Sequence, residues 1–150
     1  MMKGHNEHAF YLKQLMKLLP DLFVESRKVY RTECSIREAG YEEKAERFRA
    51  VKIELYSMAC DCRIRNGELI EKTLLNRKER DFLRRRYIHA YTWKRLFNSQ
   101  GYSPDHCKRI HRDAVNKVAE QFSDVDFKSI YEEEHARYVA LMASIGEKVI

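Results

Sequence analysis

Glycine and proline are scarce in this sequence, which has only five and two of them among its 150 residues. Their scarcity argues against a loop-rich or all-β protein, because both classes need these residues in their turns. The glycines stand at positions 4, 40, 67, 101 and 146, too far apart to form a phosphate-binding loop. P-loop and Rossmann nucleotide-binding folds are therefore excluded.

Long uncharged runs are lacking as well. The longest extend over about nine residues, as in 138–146, which is too short to cross a bilayer. Near the N-terminus, charged residues at 3, 7 and 13 interrupt the apolar ones, so we expect no signal-peptide core. Membrane association is not expected.

The cysteines do not form a metal-binding pattern. The only closely spaced pair is Cys60 and Cys62, and residues two apart on a helix point their sulfurs in different directions. Without a secretory leader, we expect free thiols in the cytoplasm at all four positions, Cys34, Cys60, Cys62 and Cys107. The sequence also has no nucleophile elbow, zincin motif or isolated acid–base pair. We therefore expect neither catalysis nor a metal or cofactor.

What the sequence does contain is an uneven distribution of charge. The net charge is +6, to which residues 1–76 contribute about +2, residues 77–122 about +7 and residues 123–150 about −3. A basic segment between a neutral and an acidic one indicates a localised surface for a polyanion. The alternative is an arginine-rich helical face that is simply solvated.

Apolar residues recur at helical spacing through the first half of the chain. The pattern predicts a helix over 6–19 that ends at Pro20, a second that ends at Gly40, and a third over 42–65. Asn66-Gly67 is a turn signal, after which a short helical piece over 68–75 is expected. The third helix carries a heptad seam, formed by Ala45, Phe48, Val51, Leu55, Met58 and Cys62.

Capping signals divide the second half. Asn76 with Glu79 is a capping box that opens a helix over 77–89, and Ser103-Pro104 opens another over 104–122. Between them a helix begins near Thr92 and stops before Gly101, and a last one covers 127–145. The predicted fold is all-α. It comprises an N-terminal helical bundle or coiled-coil-like hairpin (1–73), a helix-turn-helix (74–122) and a C-terminal amphipathic helix (123–150).

The helix-turn-helix prediction depends on two faces of its second helix. At about 100° per residue, one face of this second helix is apolar and should be buried. In the first helix, Trp93 should also be core. The buried face contains Cys107, Ile110, His111, Ala114 and Val118. The opposite face contains Asp105, Arg109, Arg112 and Asn116, with Lys108 and Ala119 beside them. Arginine pairs with guanine, asparagine with adenine, and aspartate accepts from cytosine, so these four residues are candidates for reading bases.

Residues of this segment also match a known pattern, and they are Arg77, Glu79-Arg80, Leu83, Arg86-Tyr87-Ile88, Thr92-Trp93, Leu96, Gly101-Tyr102-Ser103, Cys107, Arg109-Ile110-His111-Arg112 and Ala114. With these residues, 74–122 resemble sigma-70 region 4 and the phage transcription regulators of the ArpU and RinA kind that use that module. The pattern departs from the module at Phe97, where alanine is usual, and at Gln100, where an apolar residue is usual.

The resemblance implies a sequence-specific regulator that binds duplex DNA in the cytoplasm of a bacterial host. The acidic run Glu132-Glu133-Glu134 is a candidate contact for a partner such as RNA polymerase, and the favoured alternative is a solvent-facing stretch of the last helix. The resemblance also implies that the start of the helix at Thr92 touches phosphate and that the helix at Ser103 enters the major groove. The run Arg84-Arg85-Arg86 precedes the motif in the basic segment, which favours phosphate contact. The full set of expected backbone contacts is Arg84, Arg85, Arg86, Thr92, Lys94, Arg95, Ser103, His106 and Lys108.

Assembly and function each leave alternatives. The heptad seam and the C-terminal helix favour a homodimer with the N-terminal helices in or near its interface, and the alternative is an intramolecular bundle of three or four helices. For function, the alternatives are a small-terminase-like DNA-packaging subunit and a helical inhibitor or interaction protein that does not bind DNA.

Overall fold

A computed structural model describes residues 5–146, and every regular element in that range is a helix. The all-α prediction is therefore confirmed. No helix in this part of the chain is long and apolar enough to cross a membrane. The helices are α1 (His5–Glu38), α2 (Glu42–Glu71), α3 (Arg77–Tyr87), α4 (Trp93–Gln100), α5 (Pro104–Gln121) and α6 (Phe127–Ser144).

The two long helices, α1 and α2, form an antiparallel hairpin. Gly40 turns the chain between them with a left-handed φ of 89°, which glycine adopts without strain. All six residues of the heptad seam on α2 are buried, as predicted. They pack against apolar side chains of α1 within the same chain, so the seam forms an intramolecular core and offers no surface to a second copy.

Helix α1 continues through Pro20, so the prediction that a helix ends there is wrong. Proline has no backbone N–H, which leaves the carbonyl of Met16 without its intrahelical donor. The side chain of Asn66, on α2, supplies the missing donor: its Nδ2 lies 3.0 Å from the Met16 carbonyl oxygen. A residue 50 positions away in sequence thus makes the proline compatible with a helix.

Asn66 also lies inside a helix, which contradicts the predicted turn at Asn66-Gly67. α2 extends to Glu71, and Asn66 is fully buried within it. Its Nδ2 donates a second hydrogen bond, of 2.9 Å, to the carbonyl oxygen of Tyr87 at the end of α3. The Asn-Gly pair therefore does not turn the chain, because a buried amide that holds two carbonyls outweighs the local preference for a turn.

Helix α6 packs along α1 and α2 and completes a three-helix bundle, which we call the bundle (α1, α2 and α6). It begins beside the start of α1, where the rings of His8 and Phe127 are 4.9 Å apart. Arg65 of α2 pairs with Glu134 at 2.6 Å, and α6 runs antiparallel to α2 from there. The apolar side of the predicted C-terminal segment is therefore covered by the N-terminal helices.

Helices α3, α4 and α5 are inserted between α2 and α6 at one end of the bundle; we call them the module. The predicted capping box opens α3, since Glu79 N donates to Asn76 Oδ1 at 2.9 Å and Asn76 N donates to Glu79 Oε1 at 3.0 Å. Lys117 of α5 pairs with the same Glu79 carboxylate at 2.7 Å. One carboxylate thus caps α3 and ties it to α5.

Candidate nucleic-acid interface

The turn between α4 and α5 has the geometry that the sequence predicts. α4 ends at Gln100, and Gly101 caps it with a φ of 69° and a ψ of 15°, in the left-handed region. A Cβ at Gly101 would meet nothing within 4 Å, so backbone conformation rather than space requires the glycine. Ser103 caps α5 by accepting from the backbone N–H of His106 at 3.2 Å, and Pro104 follows it. Thr92 caps α4 in the same way, accepting from Arg95 N at 3.2 Å.

A small hydrophobic cluster holds α3, α4 and α5 together. It contains four buried side chains, those of Phe82, Leu96, Cys107 and Ile110. Four aromatic side chains pack around its edge, those of Tyr91, Trp93, Phe97 and Tyr102. Trp93 was expected to be core, and it is half-buried at the edge of the cluster. Phe97 is half-buried with its ring 5.8 Å from that of Trp93, so the larger residue at this position stacks at the edge of the cluster.

The two faces of α5 separate as the wheel predicts. Its five predicted buried residues are buried, and Asp105, Lys108, Arg109, Arg112 and Asn116 are exposed. Ala119 is the exception: it was expected beside the outward face, and it is buried together with Val115. The reason is that α1 covers the C-terminal half of α5, so the buried face widens there.

The exposed face of α5 presents two arginines in its first turns. The side chains of Arg109 and Arg112 project from it, and the guanidinium of Arg112 reaches only 3.4 Å from the carboxylate of Asp113. The side chains of Arg112 and Asp113 are both more than half exposed, so the ion pair between them is weak. Asn116 lies a further turn along, where the covered part of the helix begins.

Most of the predicted backbone-contact residues lie on the surface around this face. Thr92, Lys94, Arg95, Ser103 and Lys108 are exposed, and His106 is half-buried with its ring 4.7 Å from that of Tyr102. The guanidinium of Arg95 lies 3.8 Å from the centre of the Tyr91 ring. This cation–π contact holds the Arg95 guanidinium over the Tyr91 ring.

The three consecutive arginines of α3 do not share a face, since successive helix residues are about 100° apart. Arg84 turns toward the bundle and pairs with Glu71 through Nε at 2.8 Å. Arg85 is half-exposed, with Nη1 3.4 Å from Ser99 Oγ. Arg86 is buried, donates from Nη1 to the Tyr91 carbonyl at 2.9 Å and lies over the Trp93 ring. The expectation that all three face phosphates therefore does not hold for Arg86, which holds the start of α4 in place.

A buried histidine–tyrosine pair lies between α5 and α3. The hydroxyl of Tyr87 and Nε2 of His111 are 2.6 Å apart in a hydrogen bond. Burial first, and then the positive charges of Lys13 and Arg86, lower the pKa of His111 to about 3. Burial also raises the pKa of Tyr87 well above its usual range. Both side chains are thus neutral near pH 7.

Sequence reasoning placed His111 on the buried face and assigned it no role. It also missed Asn66 and Arg86 as structural residues. The signal for His111 was available, because a polar side chain on a buried face requires a partner. Within residues 5–146, the structure brings together no three His, Cys, Asp or Glu side chains that could hold a metal ion.

No protein-family model, curated protein or solved structure matches this chain.

Proposed function

We propose that the chain is a sequence-specific regulator of transcription that binds duplex DNA through α4 and α5. The observation that carries the proposal is the outward face of α5, on which Asp105, Arg109 and Arg112 are exposed on a capped helix. This helix is held by packing on its opposite side, so its outward side chains are free to enter a major groove. The resemblance to sigma-70 region 4 and to ArpU- and RinA-type regulators supports the same function and a phage origin.

In the proposed mechanism, cationic side chains neutralise phosphates and α5 reads the bases. Lys94 and Arg95 on α4 and Lys108 on α5 are exposed and neutralise the sugar-phosphate backbone. Backbone N–H groups at the starts of α4 and α5 add phosphate contacts, because unpaired amides and the helix dipole favour anions. Arg109 and Arg112 pair with guanine in the major groove, and Asp105 and Asn116 contact other base edges.

The first test is a selection of bound sequences from random duplex DNA, using the full chain. A recovered consensus is the expected result. Recovery of no preferred sequence, together with no salt-dependent binding to any duplex, would overturn the proposal and favour a helical inhibitor or interaction protein. Binding to DNA by a ring of many subunits would instead favour the small-terminase-like alternative.

The second test separates base contacts from backbone contacts by titration at several salt concentrations. Arg109→Ala should weaken binding to the selected site by about 1–3 kcal/mol and relax the choice of base at one position. Lys94→Ala should weaken selected and scrambled duplexes equally and lower the salt slope by about 0.9. Arg47→Ala, an exposed arginine on the far half of α2, is the control and should change neither. If Arg109→Ala weakened both duplexes equally, α5 would not read bases.

A further inference from the structure

The outer face of α2 carries exposed apolar side chains opposite the buried seam. Ile53, Tyr56 and Ile64 are 52%, 53% and 64% exposed, and Cys60 lies half-buried between them. At about 100° per residue, these four residues fall within one arc of about 80°. We call them the outer stripe. Successive members of the outer stripe are three, four and four residues apart, which is the spacing of a second helix-packing seam.

The apolar surface of the outer stripe continues onto α1. The rings of Phe23 and Tyr56 lie 5.6 Å apart, and Tyr30 is 52% exposed beside Lys52, whose Nζ lies 4.8 Å from the centre of its ring. An exposed apolar patch that extends across two helices is a candidate interaction surface. α6 lies on another side of the hairpin and does not cover these residues.

We propose that the outer stripe binds the outer stripe of a second copy of this chain, with the two α2 helices antiparallel about a twofold axis. The charges that flank the stripe are self-complementary in this arrangement. Exposed Arg49 precedes Ile53 by four residues, and exposed Glu68 follows Ile64 by four. When Ile53 packs on Ile64 of the second copy, Arg49 therefore lies opposite Glu68 of that copy, and the twofold axis repeats both contacts.

The same register places Glu46 opposite Glu71 of the second copy, at the outer rim of the contact. Each of these carboxylates already has an arginine partner in its own chain. Arg37 Nη2 lies 3.1 Å from Glu46, and Arg84 Nε lies 2.8 Å from Glu71. Arg49 also lies in its own chain 3.8 Å from the Glu46 carboxylate, in an exposed and therefore weak ion pair. The like-charge pair of Glu46 and Glu71 is thus neutralised before the copies meet, and in this register Arg49 lies between Glu46 of its own chain and Glu68 of the second copy.

One consequence rests on the function proposed above. Residue 71, where α2 meets the module, lies about 19 Å along the helix from the twofold axis. The two modules would then lie at opposite ends of the dimer, separated along α2 by about 38 Å, which is close to the spacing of half-sites one turn of DNA apart. The dimer should therefore select a two-part site, whereas a monomer should select a single half-site.

The experiment is sedimentation velocity on the full chain at micromolar to tens of micromolar concentrations, which needs no DNA. The wild-type chain should sediment as a dimer, and Ile53→Glu or Ile64→Glu should raise the dissociation constant by about tenfold or more. Leu74→Glu is the matched control: Leu74 is 89% exposed in the segment between α2 and α3, and its substitution should leave the dimer unchanged. Thermal melts of each variant establish that it is folded.

A charge swap tests the register. Arg49→Glu and Glu68→Arg should each weaken the dimer, because each places like charges opposite one another twice. The double variant should restore it. A monomeric wild-type chain, or a dimer indifferent to the stripe variants, overturns the proposal, and failure of the swap overturns the antiparallel register. Neither result bears on DNA binding by the module, which the titrations above measure separately.

Discussion

The bundle and the module are stabilised in different ways. The bundle core is continuous and draws apolar side chains from α1, α2 and α6, with further residues from α3 and α5. The separate hydrophobic cluster of the module has four buried side chains, and helix caps, an aromatic edge and the buried Arg86 add to it. A large core tolerates a polar surface of any kind, whereas a small one depends on individual polar contacts. The region proposed to bind DNA thus has the smaller hydrophobic core.

Helix α5 of the module contributes side chains to both hydrophobic cores. Its first half packs on the module cluster through Cys107 and Ile110, and its second half packs in the bundle core through Ala114, Val115 and Val118. The second half is therefore anchored to a rigid support while the first half presents its outward face. The packing of α5 against the bundle therefore fixes the position of its exposed face, although the side chains of that face do not contact the bundle core.

The largest expected effects on the free energy of unfolding come from cavities introduced into the cores of the bundle and of the module. Leu55→Ala removes a fully buried side chain from the bundle and should lower the free energy of unfolding by about 3–5 kcal/mol. Leu96→Ala does the same in the module, where neighbours can collapse from the edge, and should cost about 2–3 kcal/mol. Urea melts measure both, and native-state hydrogen exchange should show α4 opening at lower free energy than α1. Equal costs and equal protection would mean that the two regions unfold as one unit.

The next effect tests the link between the regions through Asn66. Asn66→Leu leaves the carbonyls of Met16 and Tyr87 without a donor and should cost about 2–4 kcal/mol. Pro20→Ala restores a backbone N–H for the Met16 carbonyl, so in that background the cost of Asn66→Leu should fall by about 1 kcal/mol. A double-mutant cycle by chemical denaturation measures the coupling. Strict additivity would contradict the assignment of Asn66 as the partner of the carbonyl that Pro20 frees.

A somewhat smaller effect should appear as a dependence of stability on pH. The unfolded chain takes up a proton on His111 below about pH 6.5, whereas the folded chain does so only near a pKa of about 3. Between these values the unfolded state binds more protons, so stability falls as the pH is lowered. The loss from His111 should be about 2–3 kcal/mol between about pH 7 and pH 4.5. His111→Gln should make the curve shallower in urea melts over that range, and an unchanged slope would mean that His111 is not buried in its neutral form.

The smallest of these effects compares two adjacent arginines in the module. Arg86→Met keeps the stem of the side chain and removes the donor to the Tyr91 carbonyl, so it should cost about 1–3 kcal/mol. Arg85→Met, on the half-exposed neighbour, is the control and should change stability by less than about 0.5 kcal/mol. Thermal melts of the two variants measure the difference. The reverse order would place Arg86 on the surface and return it to the set of candidate phosphate contacts.

The features that the sequence predicted correctly are those that neighbouring residues determine. The capping box at Asn76, the caps at Thr92 and Ser103, and the left-handed stop at Gly101 each depend on hydrogen bonds or backbone angles within four residues. The seam on α2 and the two faces of α5 follow from helical periodicity over a few turns. These signals were enough to predict the all-α fold and the exposed face of α5.

Tertiary structure decided which residue satisfies which partner across the chain. From the local sequence, Pro20 predicts a helix end and Asn66 predicts a turn. Once α1 and α2 pack together, Asn66 donates a hydrogen bond to the Met16 carbonyl that Pro20 leaves without a donor, and both residues lie inside helices. Ala119 is buried because α1 covers it, and Arg86 is buried because it lies one turn after Phe82 and Leu83, on the face of α3 that packs inward. Burial and hydrogen bonding between distant segments involve more free energy than the local preferences at these positions, and that difference is why only the folded chain reveals them.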